Sequence, residues 1–172
     1  MNVYTPLATG QKIPQSVLDS INMQSIRLTH VICESAGEIN SEHNYTSLHI
    51  SSELKNRNDA IDLCLKSNDP FLFMCNSDVL QLRDSNFEDQ IDYLLNNKDY
   101  GACALPFEWC QWNHIDIASI CIKREVLEKG FLFENRYGYC LCKEVMEDIE
   151  KLGYKYGYVG NTACIKNGVP RV

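Results

Sequence analysis

The sequence predicts an α/β fold, a mostly parallel central sheet flanked by helices. Three observations predict it. Strand-like and helix-like stretches alternate along the chain. Phe71–Cys75 reads FLFMC, an uninterrupted apolar run that suits a central strand covered on both faces. The 172 residues are 45% apolar and 23% charged, enough for one hydrophobic core and too apolar for a disordered chain. The expected organisation is one domain over residues 1–172, with a loose tail at 166–172.

The elements follow in order. Asn2–Leu7 is a first short strand, and Ala8–Lys12 a loop that carries Gly10. Pro14 suits a first helical position, because its missing N–H would be unbonded there anyway. Gln15–Asn22 supplies that helix, with Val17, Leu18 and Ile21 on one face. Leu28–Cys33 is a second strand, Glu34–Asn44 a polar loop, and Thr46–Ile50 a third, weaker strand. Leu54–Lys66 is a helix with Ile61, Leu63, Cys64 and Leu65 as its apolar positions, broken by Ser67-Asn68-Asp69-Pro70. Beyond the FLFMC strand come an amphipathic helix at Phe87–Asn96 and a strand at Tyr100–Leu105, ended by Pro106. Ile115–Ile122 is a strand, Lys123–Lys129 a short helix stopped by Gly130, and Leu141–Leu152 a helix capped by Gly153. Tyr154–Ile165 closes the chain as one strand, its tyrosines alternating at the strand period.

Charge and cysteine usage exclude several function classes. The formal net charge is -7, and no basic run is longer than Lys123-Arg124. General nucleic-acid binding needs clustered Lys and Arg and is not expected. An acidic chain that handles a phosphorylated substrate needs a metal ion or local cations to offset repulsion. No stretch approaches the roughly 18 apolar residues of a membrane span, and Met1–Pro6 lacks the features of a signal peptide. The expected setting is cytoplasmic, with reduced thiols. Of nine cysteines, Cys33, Cys75, Cys103, Cys121 and Cys164 lie in apolar, strand-like runs and read as small buried hydrophobes. No C-x-x-C pair exists, which argues against a zinc ribbon or a redox motif.

The chemistry-bearing residues concentrate at Asn76-Ser77-Asp78, directly after the most apolar strand. In open α/β sheets, ligands bind beyond the carboxyl ends of the strands. Two oxygen-bearing side chains one residue apart suit a hard cation such as Mg²⁺ or Mn²⁺, which can bridge a diphosphate. The same three residue types also favour a plain turn. Trp109, Trp112, His114 and Asp116 form a second cluster. Either the two Trp rings make a platform for a sugar or an acceptor, with His114 or Asp116 as a general base, or the loop packs its aromatics on the core. Glu134 is a further base candidate. His30 and His49 read as satisfied structural histidines.

In this order the motifs resemble the GT-A glycosyltransferases, particularly the family-2-like group. Val3-Tyr4-Thr5-Pro6 looks like the first strand with its Thr-Pro ending, and Val31-Ile32-Cys33-Glu34 like the second, ending on an acidic residue. Lys55-Asn56-Arg57-Asn58-Asp59-Ala60 looks like the family's Arg-Asn helix, and Phe71–Asp78 like the strand that ends in D-x-D. Gly130-Phe131 through Leu152-Gly153-Tyr154-Lys155 looks like the closing region.

The resemblance implies a Rossmann-like GT-A sandwich that transfers a sugar from a nucleoside-diphosphate donor to an unidentified acceptor, helped by Mn²⁺ or Mg²⁺. It places Thr5, Pro6, Glu34, Arg57, Asn58 and Ser77 at the donor, and Asp78 and Asn76 at the metal. Asn76 stands where the family has its first Asp. The family's Glu-Asp pair before the last helix has no match in Tyr139-Cys140-Leu141-Cys142. Those departures keep two other functions in view, a non-catalytic domain that binds a nucleotide or a protein, and a nucleotidyltransferase. A homo-oligomer is also compatible with the sequence.

Overall fold

The computed structural model describes residues 1–7, 12–34, 45–106, 117–134, 136, 141–159 and 164–166; for residues 34, 45–53 and 164–166 it describes the backbone alone. The elements are β1 (Asn2–Leu7), α1 (Gln15–Asn22), β2 (Thr29–Glu34), α2 (Tyr45–Ser67), β3 (Phe71–Cys75), β4 (Val79–Gln81), α3 (Asn86–Asn96), β5 (Tyr100–Ala104), β6 (Ser119–Lys123), α4 (Arg124–Glu128), α5 (Leu141–Lys151), β7 (Lys155–Tyr158) and β8 (Cys164–Lys166).

Six strands form the main sheet in the order β2-β1-β3-β6-β5-β7. β1 pairs in parallel with both β2 and β3, and β5 in parallel with β7; β6 alone runs against its neighbours. The sheet is therefore mostly parallel, as expected. Alternate residues feed two cores. Val3, Phe73, Cys75, Cys103 and Cys121 pack with Val17, Ile21, Phe87 and Leu94 of α1 and α3. Tyr4, Leu72, Met74, Ala102, Ile120 and Ile122 pack with Ala60, Ile61, Val126, Val145 and Ile149 of α2, α4 and α5. Helices thus cover both faces, which is why β3 reads as a continuous apolar run.

Three sequence expectations are corrected. Thr46–Ile50 is not a strand; it belongs to α2, which runs unbroken from Tyr45 to Ser67. No Gly or Pro interrupts that span. A nucleated helix adds one hydrogen bond per residue, so it extends through residues of modest propensity until something stops it. Asn68, at φ 60, supplies the stop. The predicted single closing strand is instead two, β7 in the main sheet and β8 paired antiparallel with β4 in a small second sheet. β4 itself, three residues long, was not expected. Pro14 is the cap before α1 rather than its first helical residue. Gly153 ends α5 as expected, at φ 87, with Tyr154 N–H donating to Ile149 O.

Cys33, Cys64, Cys75, Cys103 and Cys121 are buried free thiols. Burial pushes Cys33 and Cys64 up to about 11 and Cys75 to about 12, so they stay protonated at neutral pH. The Cys164 side chain, Cys110 and Cys140 lie outside the described residues. Among the described residues, no helix is long and apolar enough to cross a membrane.

Candidate functional site

The chain order decides where a ligand can enter. β1 leads to β2 on one side, and β2 leads through α2 to β3 on the other side of β1. The connections diverge between β1 and β3, and such switch points open a crevice beyond the strand ends. The β1–β3 ladder stops at Tyr4↔Met74. Beyond it lies Pro6, which has no N–H to give. Leu7 and Asn76 therefore lie past the end of the ladder, on either side of this switch point.

Three consecutive residues of α2 tie the surrounding pieces together. Successive helical side chains fan out by about 100°, so each of the three reaches a different element. Asn56 Nδ2 donates to Leu7 O at 2.5 Å, at the end of β1. Arg57 Nη2 donates to Asn76 Oδ1 at 2.6 Å, beyond the end of β3, and its Nη1 contacts Met74 Sδ at 2.8 Å. Asn58 donates to Phe133 O and accepts from Phe133 N–H, both at 2.9 Å, which fixes the segment ahead of α5. Phe133 returns a contact, its ring centroid lying 5.5 Å from the Arg57 guanidinium. Asn56 and Arg57 are fully buried.

The strand-end tip is a turn. Asn76 N–H donates to Ala118 O at 2.8 Å, and Val79 N–H closes back on Asn76 O at 3.2 Å. Ser77 is buried, whereas Asn76 and Asp78 are half-buried. The two side chains expected to share a metal have different surroundings. Asn76 spends its amide oxygen on the buried Arg57 cation. No described residue bonds the Asp78 carboxylate. A divalent ion does not fit at an oxygen already facing a guanidinium at 2.6 Å. It does fit at Asp78, because Mg²⁺-type sites commonly use one or two carboxylates and complete their shell with substrate phosphates. Among the described residues, no three His, Cys, Asp or Glu side chains converge on one point.

The other expected residues divide as follows. Thr5 is fully buried, its hydroxyl 2.8 Å from His30 Nε2, and Pro6 is buried too, past the β1–β3 ladder. Glu34 ends β2 in register with Leu7, which brings its backbone to the same end of the sheet. Glu134 accepts from Arg136 Nη1 at 2.6 Å, and Arg136 is held in turn by Asp148 at 2.8 Å. That carboxylate is committed to tying its segment to α5. Trp109, Trp112, His114 and Asp116 lie outside the described residues. Asn56 carried no signal of its own beyond its place beside Arg57, and only the fold reveals its bond to Leu7.

Burial lowers the His30 pKa. The unfolded chain, with His near 6.5, then binds more protons than the folded one between the two values. His30's share of stability is present above about 6.5 and is lost as pH falls through the lowered folded value. Urea unfolding at pH 7 and pH 5 is expected to show a loss of stability that is smaller in His30→Gln.

Comparison with known proteins bears on the fold. No family model matches the sequence, and no curated protein is significantly similar to it. Solved structures do match. The mannosyltransferase of Pyrobaculum calidifontis, solved with GDP-Man and Mn²⁺, is 15% identical with a TM-score of 0.71, over 99% of this chain and 57% of that one. Glucosyl-3-phosphoglycerate synthase of Mycobacterium tuberculosis, solved with Mn²⁺, UDP and phosphoglyceric acid, is 12% identical with a TM-score of 0.61, over 98% and 70%. A glycosyltransferase involved in glycosylation of the major capsid of PBCV-1 is 9% identical with a TM-score of 0.60, over 98% and 93%. The chain spans little more than half the length of the mannosyltransferase. At these identities the likeness is one of fold, and that fold is GT-A-like.

Proposed function

We propose that this chain, with its GT-A-like fold, is a glycosyltransferase domain that uses a nucleoside-diphosphate sugar. The supporting observation is the β1/β3 switch point of the sheet. It is flanked by Leu7 and Asn76, backed by the buried Arg57 cation, and supplied with one uncommitted carboxylate, Asp78. The nucleoside would lie toward the ends of β1 and β2, near Pro6 and Glu34, and the diphosphate toward Asn76-Ser77-Asp78. Arg57 would act from behind the tip, lending positive charge through Asn76 rather than gripping phosphate directly. An Mn²⁺ or Mg²⁺ ion arriving with the diphosphate would be held by Asp78, and when bound it would offset charge on the leaving group. Thr5 and Asn58, with their polar groups engaged by His30 and Phe133, would shape the site rather than touch the donor.

Trp109 and Trp112 remain our candidates for the acceptor or sugar, and His114 and Asp116 for the base. Glu134 is a weaker base candidate, because Arg136 holds its carboxylate. Calorimetry with UDP- and GDP-sugars, with and without Mn²⁺, tests the reading. Metal-enhanced binding of at least one donor is expected, and no binding by any of them would sink it. The engagement of Asn76 by Arg57 favours a second reading, a domain that binds the donor without turning it over. Release of free sugar or transfer by the purified chain excludes that one.

A further inference from the structure

The helix α3 buries Phe87, Gln90 and Leu94 and turns Glu88, Asp92 and Leu95 to solvent. These last three stand at i, i+4 and i+7, so they share one stripe of the helix surface. Leu95 is 58% exposed, more than any other leucine among the described residues. Beside it a groove of about 450 Å³ opens between the end of α3 and the start of α4. Phe71, Leu94 and Leu95 give the groove its apolar lining. Phe71 opens β3, so the groove lies at the opposite end of the sheet from the Asn76-Ser77-Asp78 tip.

A single copy leaves charge unmatched at both ends of α3. In the groove, Arg124 meets Glu128 at 2.7 Å and Lys123 meets Glu125 at 3.8 Å. No described residue bonds the ammonium of Lys98, which lines the same groove. Toward the start of α3, Glu88 accepts from the Ser25 hydroxyl at 2.8 Å, and no described residue bonds the Asp92 carboxylate. Like charges at i, i+4 repel, so Glu88 and Asp92 gain from a cation brought in from outside. A helix with acid toward one end, base just past the other and an exposed leucine between them fits a reversed copy of itself. That self-complementarity is what a two-fold interface requires.

We propose that a second copy of this chain docks on this face, the two α3 helices running antiparallel about a two-fold axis. Each copy sets its Glu88 and Asp92 over the other's Lys98, and Leu95 of each packs against the apolar lining of the other's groove. The occupant is a second copy rather than an acidic peptide, because the groove and the stripe that fits it belong to the same helix. The dimer leaves the proposed donor site of each copy free, since groove and tip stand at opposite ends of the sheet.

Sedimentation of the full chain tests this. Wild type is expected to form a concentration-dependent dimer that weakens as salt rises. Leu95→Glu is expected to weaken the dimer about tenfold or more, as for an apolar contact at the centre of an interface. Its urea midpoint is expected to stay near wild type, because the position is exposed. Lys98→Glu alone, and Glu88→Lys combined with Asp92→Lys, are each expected to self-associate about tenfold more weakly. Mixed together, these two variants are expected to recover wild-type affinity, because both contacts across the axis then join opposite charges. A wild type that stays monomeric at about 1 mM overturns the inference. So does a dimer that Leu95→Glu leaves intact, or one whose charge variants fail to recover on mixing. Should Leu95→Glu not fold, the mixing experiment decides.

Discussion

Asp78→Ala is expected to cut Mn²⁺-dependent binding of a nucleoside diphosphate on the order of 100-fold, in keeping with the loss of a direct metal ligand. Stability is expected to stay within about 0.5 kcal/mol of wild type, as for surface changes away from bonded features. The two halves of the prediction have one cause. No described residue bonds the Asp78 carboxylate, so folding gains little from it and it stays available to a cation. Asn76 does not substitute for it, because its oxygen is turned to Arg57 at 2.6 Å. Calorimetry with and without Mn²⁺, beside a urea melt of the same variant, reads both halves. Binding that survives unchanged in Asp78→Ala would remove the metal from the proposed site. A large loss of stability would instead make Asp78 part of the scaffold.

Asn76→Leu is expected to do the reverse, costing about 1.5–3 kcal/mol of folding stability, the range for a hydrogen bond to a charged group. The shape of the side chain is nearly kept, but Arg57 Nη2 loses its acceptor inside the fold. Arg57 is fully buried, so water cannot replace that bond without opening the site. Arg57→Met added to Asn76→Leu is expected to cost less than the two single changes summed, because no charge remains to be left short of a partner. Asn76→Asp is expected to raise the unfolding midpoint, since a carboxylate gives Arg57 a charge-assisted bond. It is not expected to create a two-carboxylate metal site, because the guanidinium would hold the new carboxylate as it now holds the amide. Mn²⁺ affinity measured without nucleotide would therefore remain at the wild-type level. A rise on Asn76→Asp would show that the tip can release from Arg57.

Asn76 thus has a different meaning in the sequence and in the fold. In the sequence it is a weakened first position of an acidic motif. In the fold it is the polar terminus of a buried cation, which explains why an amide is stable there. The spacing of 19 positions between Arg57 and Asn76 carries no periodic signal that would pair them. Only the packing of α2 across the ends of β1 and β3 does so. The same holds for Asn58 and Phe133, which lie 75 positions apart.

What the sequence by itself determined is the class of the fold. Alternating elements, the apolar run of β3 and the polar residues that follow it are local patterns, set by burial on two faces and by turn chemistry. Local patterns also marked α1 and α3 closely. The sequence did not determine where α2 begins, since a continuous helix overrides the strand-like look of Thr46–Ile50. Nor did it determine how the closing strand divides between two sheets, because pairing partners are chosen by long-range contact. Above all, the tertiary structure decided the roles of Asn56, Arg57 and Asn58. Their consecutive side chains diverge around the helix, and which element each one meets depends on everything packed about it.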